Sequence, residues 1–158
     1  MKNCLLLFAL LLLLSACGPN YILQKSIELP EKTWSYTDSL YATLDIADTN
    51  KLYNLYLDIE HGTSYANQNI YLLIKTQFPD GQIASKTLSV DLADKIGNWQ
   101  GDCNAETCDV RVNLQQGAFF NAPGQYSFSI AQHMRIDPIP AIHGVGFSVE
   151  DTGKVREW

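Results

Sequence analysis

The sequence has few basic residues and no dense cluster of them. It contains 11 lysines and arginines against 17 aspartates and glutamates, so its formal net charge is −6 at pH 7. Proteins that bind nucleic acid use clustered lysine and arginine side chains to contact the phosphate backbone. The composition therefore argues against a nucleic-acid partner.

The sequence also lacks an apolar run long enough to cross a membrane as a helix. Its longest run, residues 5–14, has ten residues, whereas a membrane-spanning helix needs about 20. Lys2 before the run and Ala16 after it are typical of a secretory signal peptide. We therefore predict that residues 1–16 form a signal peptide that is removed on export.

This segment ends in Leu14-Ser15-Ala16-Cys17, which closely resembles the lipobox of bacterial lipoproteins. In a lipobox the cysteine thiol receives a diacylglycerol, and the signal peptide is cut just before that cysteine. Each buried CH₂ of such a lipid stabilises membrane binding by about 0.8 kcal/mol. We predict that Cys17 is lipidated and that residues 17–25 form a short tether, followed by a folded domain over residues 26–158. An ordinary cleaved signal with a coincidental cysteine is the alternative.

No segment shows the sustained i, i+3, i+4, i+7 apolar spacing of an amphipathic helix. Apolar and polar residues instead alternate, which is typical of strands with one buried face. The residues Pro79-Asp80-Gly81 favour a turn and predict a hairpin. The alternating apolar positions are Leu40, Ala42, Leu44 and Ile46; Tyr53, Leu55, Leu57 and Ile59; Val110, Val112 and Leu114; Tyr126, Phe128 and Ile130; and Val145, Phe147 and Val149.

These short strands, separated by Gly, Pro and Asn turns, predict an all-β fold. We expect a single antiparallel β-sandwich or jelly-roll-like domain behind the signal peptide. A lipocalin-like barrel is the alternative, although the strands look too uneven in length for it.

Two cysteines remain after Cys4 leaves with the signal peptide and Cys17 is lipidated. They are Cys103 and Cys108, in a Cys-x₄-Cys arrangement. An exported protein matures in an oxidising compartment, which favours a disulfide between them. Free thiols and metal ligation are the alternatives, but no second Cys or His pair has the spacing of a zinc site.

The sequence contains no recognisable catalytic motif. His-Glu-x-x-His, Gly-x-Ser-x-Gly and glycine-rich phosphate loops are all missing. The three histidines, His61, His133 and His143, have no spacing that requires them to converge. We therefore predict a non-enzymatic protein without a metal or cofactor. A hydrolase with an acid pair or a histidine cluster in a cleft is the alternative.

Aromatic and arginine side chains are the candidates for an interaction surface, because such residues are enriched at binding hot spots. A surface of this kind would bind another protein or, alternatively, carbohydrate. The alternative is a purely structural role, in which Trp34 and Trp99 close the ends of the sandwich core and Arg135 forms an internal ion pair. The candidate surface residues are Trp34, Tyr56, Tyr65, Trp99 and Arg135.

Several short motifs follow one another in a distinctive order. They are Leu29-Pro30 with Trp34, Tyr53-Asn54-Leu55-Tyr56-Leu57, Phe78-Pro79-Asp80-Gly81, Gly97-x-Trp99-x-Gly101, Gly124-Gln125-Tyr126-Ser127-Phe128, and Gln132-His133-Met134-Arg135. In this order they resemble the GldH family of gliding-motility lipoproteins of Bacteroidetes, over nearly the whole chain after Cys17. The resemblance implies an envelope lipoprotein associated with the gliding machinery, which is linked to type IX secretion. It supplies no catalytic residues.

The residues after Cys17 indicate which membrane would hold the lipidated protein. Gly18-Pro19-Asn20 contains neither the aspartate that retains proteobacterial lipoproteins in the inner membrane nor an acidic run that favours surface export in Bacteroidetes. We therefore predict the periplasmic face of the outer membrane, with inner-membrane retention as the alternative. The predicted partners are the bilayer, through acylated Cys17, and other envelope proteins of the gliding or secretion machinery.

Overall fold

Eleven strands and their connections make up the part of the chain that the computed structural model describes, residues 18–157. No helix among these residues is long and apolar enough to span a membrane. The strands are β1 (Tyr21–Glu28), β2 (Thr33–Trp34), β3 (Leu40–Ile46), β4 (Lys51–Gly62), β5 (Asn69–Gln77), β6 (Ile83–Asp91), β7 (Asp102–Cys103), β8 (Thr107–Ala118), β9 (Gly124–Gln132), β10 (Ile139–Pro140) and β11 (Ile142–Val155).

The strands form two main antiparallel sheets. The five-stranded sheet has the order β1-β11-β4-β8-β7, and the four-stranded sheet has the order β3-β9-β5-β6. A small ladder pairs β2 with β10. Phe128 of the four-stranded sheet packs on Phe147 of the five-stranded sheet, with ring centroids 4.9 Å apart. The predicted antiparallel β-sandwich is confirmed.

The core follows the alternation of apolar residues that the sequence displays. In β3 the residues alternate strictly between buried and exposed, beginning with buried Leu40 and ending with buried Ile46. Tyr53, Leu57 and Ile59 of β4 face the same core. Alternate positions of a strand lie on one face, so these side chains fill the space between the sheets.

The predicted turn between β5 and β6 is also confirmed. The Phe78 amide donates to the carbonyl of Gln82 over 2.8 Å, and Gly81 adopts a positive φ of 86°. Glycine adopts this left-handed conformation without a steric penalty. The hairpin therefore closes where Pro79-Asp80-Gly81 predicts it.

The predicted tether is too long, because residues 21–25 belong to β1. This strand pairs with β11 in an antiparallel register that runs from Tyr21 opposite Glu150 to Glu28 opposite Gly144. The folded domain therefore begins at Tyr21 rather than at residue 26. Three described residues, 18–20, lie before it. Cys17 and the signal segment lie outside the described residues.

Cys103 and Cys108 lie opposite each other in the β7–β8 ladder. Their sulfur atoms are bonded at 2.07 Å. Cys108 is fully buried beside His61, its neighbour on β4, whereas Cys103 is exposed. The bond therefore ties the short edge strand β7 to the core.

Candidate binding groove

A groove of about 690 Å³ runs along the outer face of the five-stranded sheet, over β1, β11, β4 and β8. Val145, Phe147 and Val149 of β11 point into the core, so the residues between them point outward. Gly146 and Ser148, together with Gly144 just before Val145, form the floor of the groove. Its volume lies in the range of small-molecule binding sites, about 300–1,000 Å³.

The two glycines leave room for neighbouring side chains to lie over the floor. A Cβ atom on Gly146 would be 3.3 Å from the Cβ of Asp58, and one on Gly144 would be 3.2 Å from the carbonyl oxygen of Ile27. Both distances are shorter than ordinary van der Waals contact. A side chain at either position would therefore crowd the floor and reduce the groove.

Ser148 contributes a hydroxyl that lacks a protein partner. The residue is 2% exposed, and its Oγ makes no hydrogen bond with any described residue. A buried polar group without a partner destabilises a protein by about 1–3 kcal/mol. Ser148 therefore places a buried hydroxyl without a described partner at the floor of the groove.

Arg111 on β8 is held firmly at the rim of the groove. Its Nε and Nη2 donate to the two carboxylate oxygens of Asp58 over 2.6 and 2.9 Å, and its Nη1 donates to the Tyr21 hydroxyl over 2.7 Å. The hydrogen bonds that the guanidinium donates to Asp58 raise its pKa above the usual value. Two parallel bonds to one carboxylate fix the orientation of an arginine as well as its charge.

Two tyrosine rings stand beside this arginine. The Arg111 guanidinium lies 5.6 Å from the ring centroid of Tyr21 and 5.3 Å from that of Tyr56. The rings contact each other edge-on at 6.4 Å. The Tyr56 hydroxyl donates to Glu150 over 2.8 Å, and this bond raises the Tyr56 pKa. Glu150 also accepts a bond from Asn54 over 3.0 Å.

The other end of the groove is acidic. The pairing register places Glu28, Gly144, Glu60 and Asp109 in one row across four strands. His143 lies 3.5 Å from Glu60, measured from Nδ1 to Oε1. The carboxylates Glu28, Asp58, Glu60 and Asp109 outnumber the cations Lys25 and Arg111 among the lining residues. The groove therefore suits a ligand with hydroxyl or positively charged groups.

The described residues do not present a metal site, since no three His, Cys, Asp or Glu side chains among residues 18–157 converge suitably. His61 is fully buried at the opposite end of the sandwich from residue 18, against Trp99 at 4.7 Å and Tyr65 at 6.0 Å between ring centroids. Its Nδ1 lies 3.0 Å from the carbonyl oxygen of Gly62. Burial lowers the pKa of His61, which favours the neutral ring.

The predicted interaction surface does not form one site. Trp34 is 0% exposed and Tyr65 is buried, so neither reaches the surface. Trp34 packs in the core, and its indole N–H donates to the Asp38 carbonyl. The prediction that these two residues contact a partner is wrong, because both side chains are buried in the hydrophobic core.

The remaining three candidate residues lie in different places. Trp99 is half-buried against His61, and Arg135 is exposed in the loop after β9 without an ion pair to another described residue. Only Tyr56 adjoins the groove. Sequence reasoning missed the floor and rim residues Gly144, Gly146, Ser148, Asp58 and Arg111. The two alternate glycines inside an apolar strand were the one local signal for the floor.

Comparisons with solved structures show weak likeness to carbohydrate-active proteins. A carbohydrate-binding module, CBM28, described as specific for non-crystalline cellulose, matches at 14% identity over 85% of this chain and 74% of that chain, with a TM-score of 0.40. A GH115 4-O-methyl-α-glucuronidase matches at 7% identity over 86% of this chain and 18% of that chain, with a TM-score of 0.41. Scores this low say nothing about ligands.

Comparisons of the sequence give clearer evidence about the family of the chain. The gliding motility lipoprotein GldH homolog of Christiangramia forsetii is 27% identical over 147 residues, 89% of this chain and 90% of that protein. The gliding motility lipoprotein GldH of Flavobacterium johnsoniae is 22% identical over 156 residues, 94% of this chain and 96% of that protein. The model of the GldH lipoprotein family matches residues 21–149, from the start of β1 to the middle of β11. The chain therefore belongs to the GldH lipoprotein family.

Proposed function

We propose that the protein is a non-enzymatic accessory lipoprotein of the gliding machinery, which binds a partner through the groove on its five-stranded sheet. The pairing of three carboxylates in and beside this groove carries the proposal. Asp58 is bound by Arg111, Glu150 by Tyr56, and Glu60 lies beside His143. Catalysis needs an acid, base or nucleophile aimed at a substrate. Groups that are committed to each other instead make a preorganised binding surface.

The membrane anchor in this proposal is a diacylglycerol on Cys17, supported by the lipobox sequence Leu14-Ser15-Ala16-Cys17. The full-length chain expressed in a flavobacterial host should incorporate labelled palmitate and fractionate with membranes. The Cys17→Ala variant should lose both the label and the membrane association. Equal labelling of the two proteins would refute the anchor.

The proposed partners are envelope proteins of the gliding or type IX secretion machinery, since both named relatives are gliding-motility lipoproteins. Purification of the lipidated protein from detergent-solubilised envelopes should recover such components. Arg111→Ala should reduce the recovery, whereas Arg135→Ala removes an exposed arginine that does not line the groove and serves as the matched control. Recovery of none of these components, or equal recovery with Arg111→Ala, would count against this partner or this surface.

The proposed location is the periplasmic face of the outer membrane. Protease added to intact cells should then leave the domain uncut, while the same protease should degrade it after the outer membrane is permeabilised. Release of the domain from intact cells would place it on the cell surface instead. Density separation of the two membranes would distinguish the inner-membrane alternative.

Carbohydrate binding is a second candidate function, favoured by the polar lining of the groove. Carboxylates, a fixed guanidinium and the unpartnered Ser148 hydroxyl are groups that hydrogen-bond to sugar hydroxyls, and the rings of Tyr21 and Tyr56 stand nearby. A glycan array probed with the mature protein should give signals that Arg111→Ala and Ser148→Ala weaken and Arg135→Ala does not. Silence across the array would exclude this candidate.

A further inference from the structure

We propose that one end of the β-sandwich lies against the lipid bilayer and inserts apolar side chains at its interface. This end, called here the N-terminal end, contains the start of β1, the ends of β5, β8 and β11, and the turns beside them. The inference rests on the proposed lipidation of Cys17. It adds a second, non-covalent contact between the protein and the membrane.

The path of the chain places the N-terminal end close to the anchor. The carbonyl oxygen of Asn20 accepts a hydrogen bond from the Asp151 amide over 2.8 Å, and Tyr21 is already in β1. Residues 18–20 are therefore all that separates Cys17 from a fixed point of the fold. Three extended residues span on the order of 10 Å. A lipid on Cys17 would keep the N-terminal end within this distance of the headgroups.

Several large apolar side chains are exposed at the N-terminal end. Phe119, directly after β8, is 48% exposed, and Ile83, the first residue of β6, is 64% exposed. Phe78 after β5 and Val155 at the end of β11 are exposed as well. Removing exposed apolar surface from water is favourable. Burial of this area in the interface removes it from water.

The surroundings of Phe119 suit the boundary between acyl chains and headgroups. The Arg156 guanidinium lies 4.5 Å from the centroid of the Phe119 ring. The Arg156 amide donates to the carbonyl of Asn50 over 2.8 Å, which fixes this C-terminal segment on the turn before β4. An arginine at an interface keeps its charge in the polar layer while its stem and neighbouring rings contact apolar groups. An apolar ring and a charged group therefore lie side by side at the N-terminal end.

The opposite end of the sandwich supplies matched controls. Ile136 in the loop after β9 is 53% exposed, and Ile96 in the loop after β6 is exposed too. Exposure alone therefore does not select the membrane-facing end. The position of the anchor does, because residues 18–20 are too short to let the opposite end reach the bilayer.

Site-directed spin labelling of the lipidated, full mature protein tests the proposal. The structure simplifies labelling, because Cys103 and Cys108 are disulfide-bonded. With Cys17 acylated and Cys4 removed with the signal peptide, a newly introduced cysteine is the single free thiol. The variants are Phe119→Cys and Ile83→Cys at the N-terminal end, and Ile136→Cys and Ile96→Cys at the opposite end. Each is reconstituted into phosphatidylethanolamine–phosphatidylglycerol vesicles.

The readout compares relaxation of the nitroxide by lipid-soluble oxygen with relaxation by a water-soluble nickel chelate. We expect oxygen to dominate at positions 119 and 83 and the nickel chelate to dominate at 136 and 96. Equal access of the chelate to all four positions would overturn the proposal. Mass spectrometry of the N-terminal peptide on the same samples separates the two hypotheses. A lipidated protein with a water-exposed position 119 refutes membrane insertion alone, and an unlipidated protein refutes both.

Discussion

Arg111 on β8 and Tyr21 on β1 are joined by a hydrogen bond of 2.7 Å, although two whole strands, β11 and β4, lie between them. The same arginine binds Asp58 on β4 with two further bonds. One side chain therefore connects three strands on the outer face of the five-stranded sheet. It also holds the ring of Tyr21 in place beside the groove.

Arg111→Lys should weaken groove binding nearly as much as Arg111→Ala. An ammonium group cannot bind both oxygens of Asp58 and the Tyr21 hydroxyl in one fixed geometry. Because the arginine and Asp58 are both partly exposed, we expect either change to lower the free energy of unfolding by no more than about 1 kcal/mol. Urea unfolding and partner binding, measured in parallel, check this. Full binding by the lysine variant would show that charge alone suffices.

Ser148→Ala should leave the fold intact or stabilise it by about 1 kcal/mol, because it removes a buried hydroxyl that has no protein partner. Binding to the groove should weaken in the same variant. Urea unfolding provides the first measurement, and the pull-down or glycan array provides the second. A clear loss of stability would mean that the hydroxyl is satisfied within the folded protein.

Trp34→Ala should lower the free energy of unfolding by about 3–5 kcal/mol, the usual cost of truncating a buried aromatic residue. Tyr41 is exposed on the outer face of β3, so Tyr41→Ala is the matched control and should change stability little. Guanidinium unfolding followed by circular dichroism compares the two variants. Similar midpoints would contradict the placement of Trp34 in the core.

The stability of the protein should fall as the pH drops below about 6.5, the usual pKa of an unfolded histidine. Burial lowers the pKa of His61 in the folded state. The unfolded chain therefore binds a proton at a higher pH than the folded protein does, and acid favours unfolding. The stabilising contribution is complete above that pH and is lost progressively below it.

His61→Phe tests this origin, since phenylalanine fills the space beside Trp99 and does not titrate. The variant should lose most of the dependence of the melting temperature on pH between about pH 7 and pH 5. His133→Gln, a change at an exposed histidine, should retain it. An unchanged profile in His61→Phe would assign the effect to other groups.

Cys103→Ser should destabilise the protein by roughly 2 kcal/mol, because the disulfide closes a short loop and restricts the unfolded chain. The exposed position of Cys103 makes this variant cleaner than Cys108→Ser, which would bury a hydroxyl. A reductant should lower the free energy of unfolding of the parent protein by the same amount as the substitution does. It should not change the free energy of unfolding of the variant. A reductant-insensitive parent would show that the bond contributes no stability.

The alternation of residues in β3 and β4 could be read from the sequence because each strand has one buried and one exposed face. The turn at Pro79-Asp80-Gly81 was predictable for a local reason as well. Strand β1 could not be predicted, because Lys25 interrupts its apolar positions and because its burial depends on pairing with β11. Trp34 lies in a two-residue strand, which is too short to show any period.

The groove could not be predicted, because it is a product of strand register. Glu28, Glu60 and Gly144 are far apart in the sequence and become neighbours only when β1, β4 and β11 align. Local motifs do not encode such an alignment. The ordered motifs of the whole chain did identify the GldH family, since a family resemblance depends on sequence order rather than on the pairing of strands.

The pairing of β1 with β11 has a consequence for the order in which the sheet forms. Among the described strands, β1 occupies the sheet edge, and its ladder runs along β11, the last of these strands to be synthesised. Tyr21 therefore cannot pair in the sheet until residues near Glu150 have been synthesised. Contacts between residues so distant in sequence form slowly. β1 would thus stay unpaired until synthesis of the chain has reached the residues of β11.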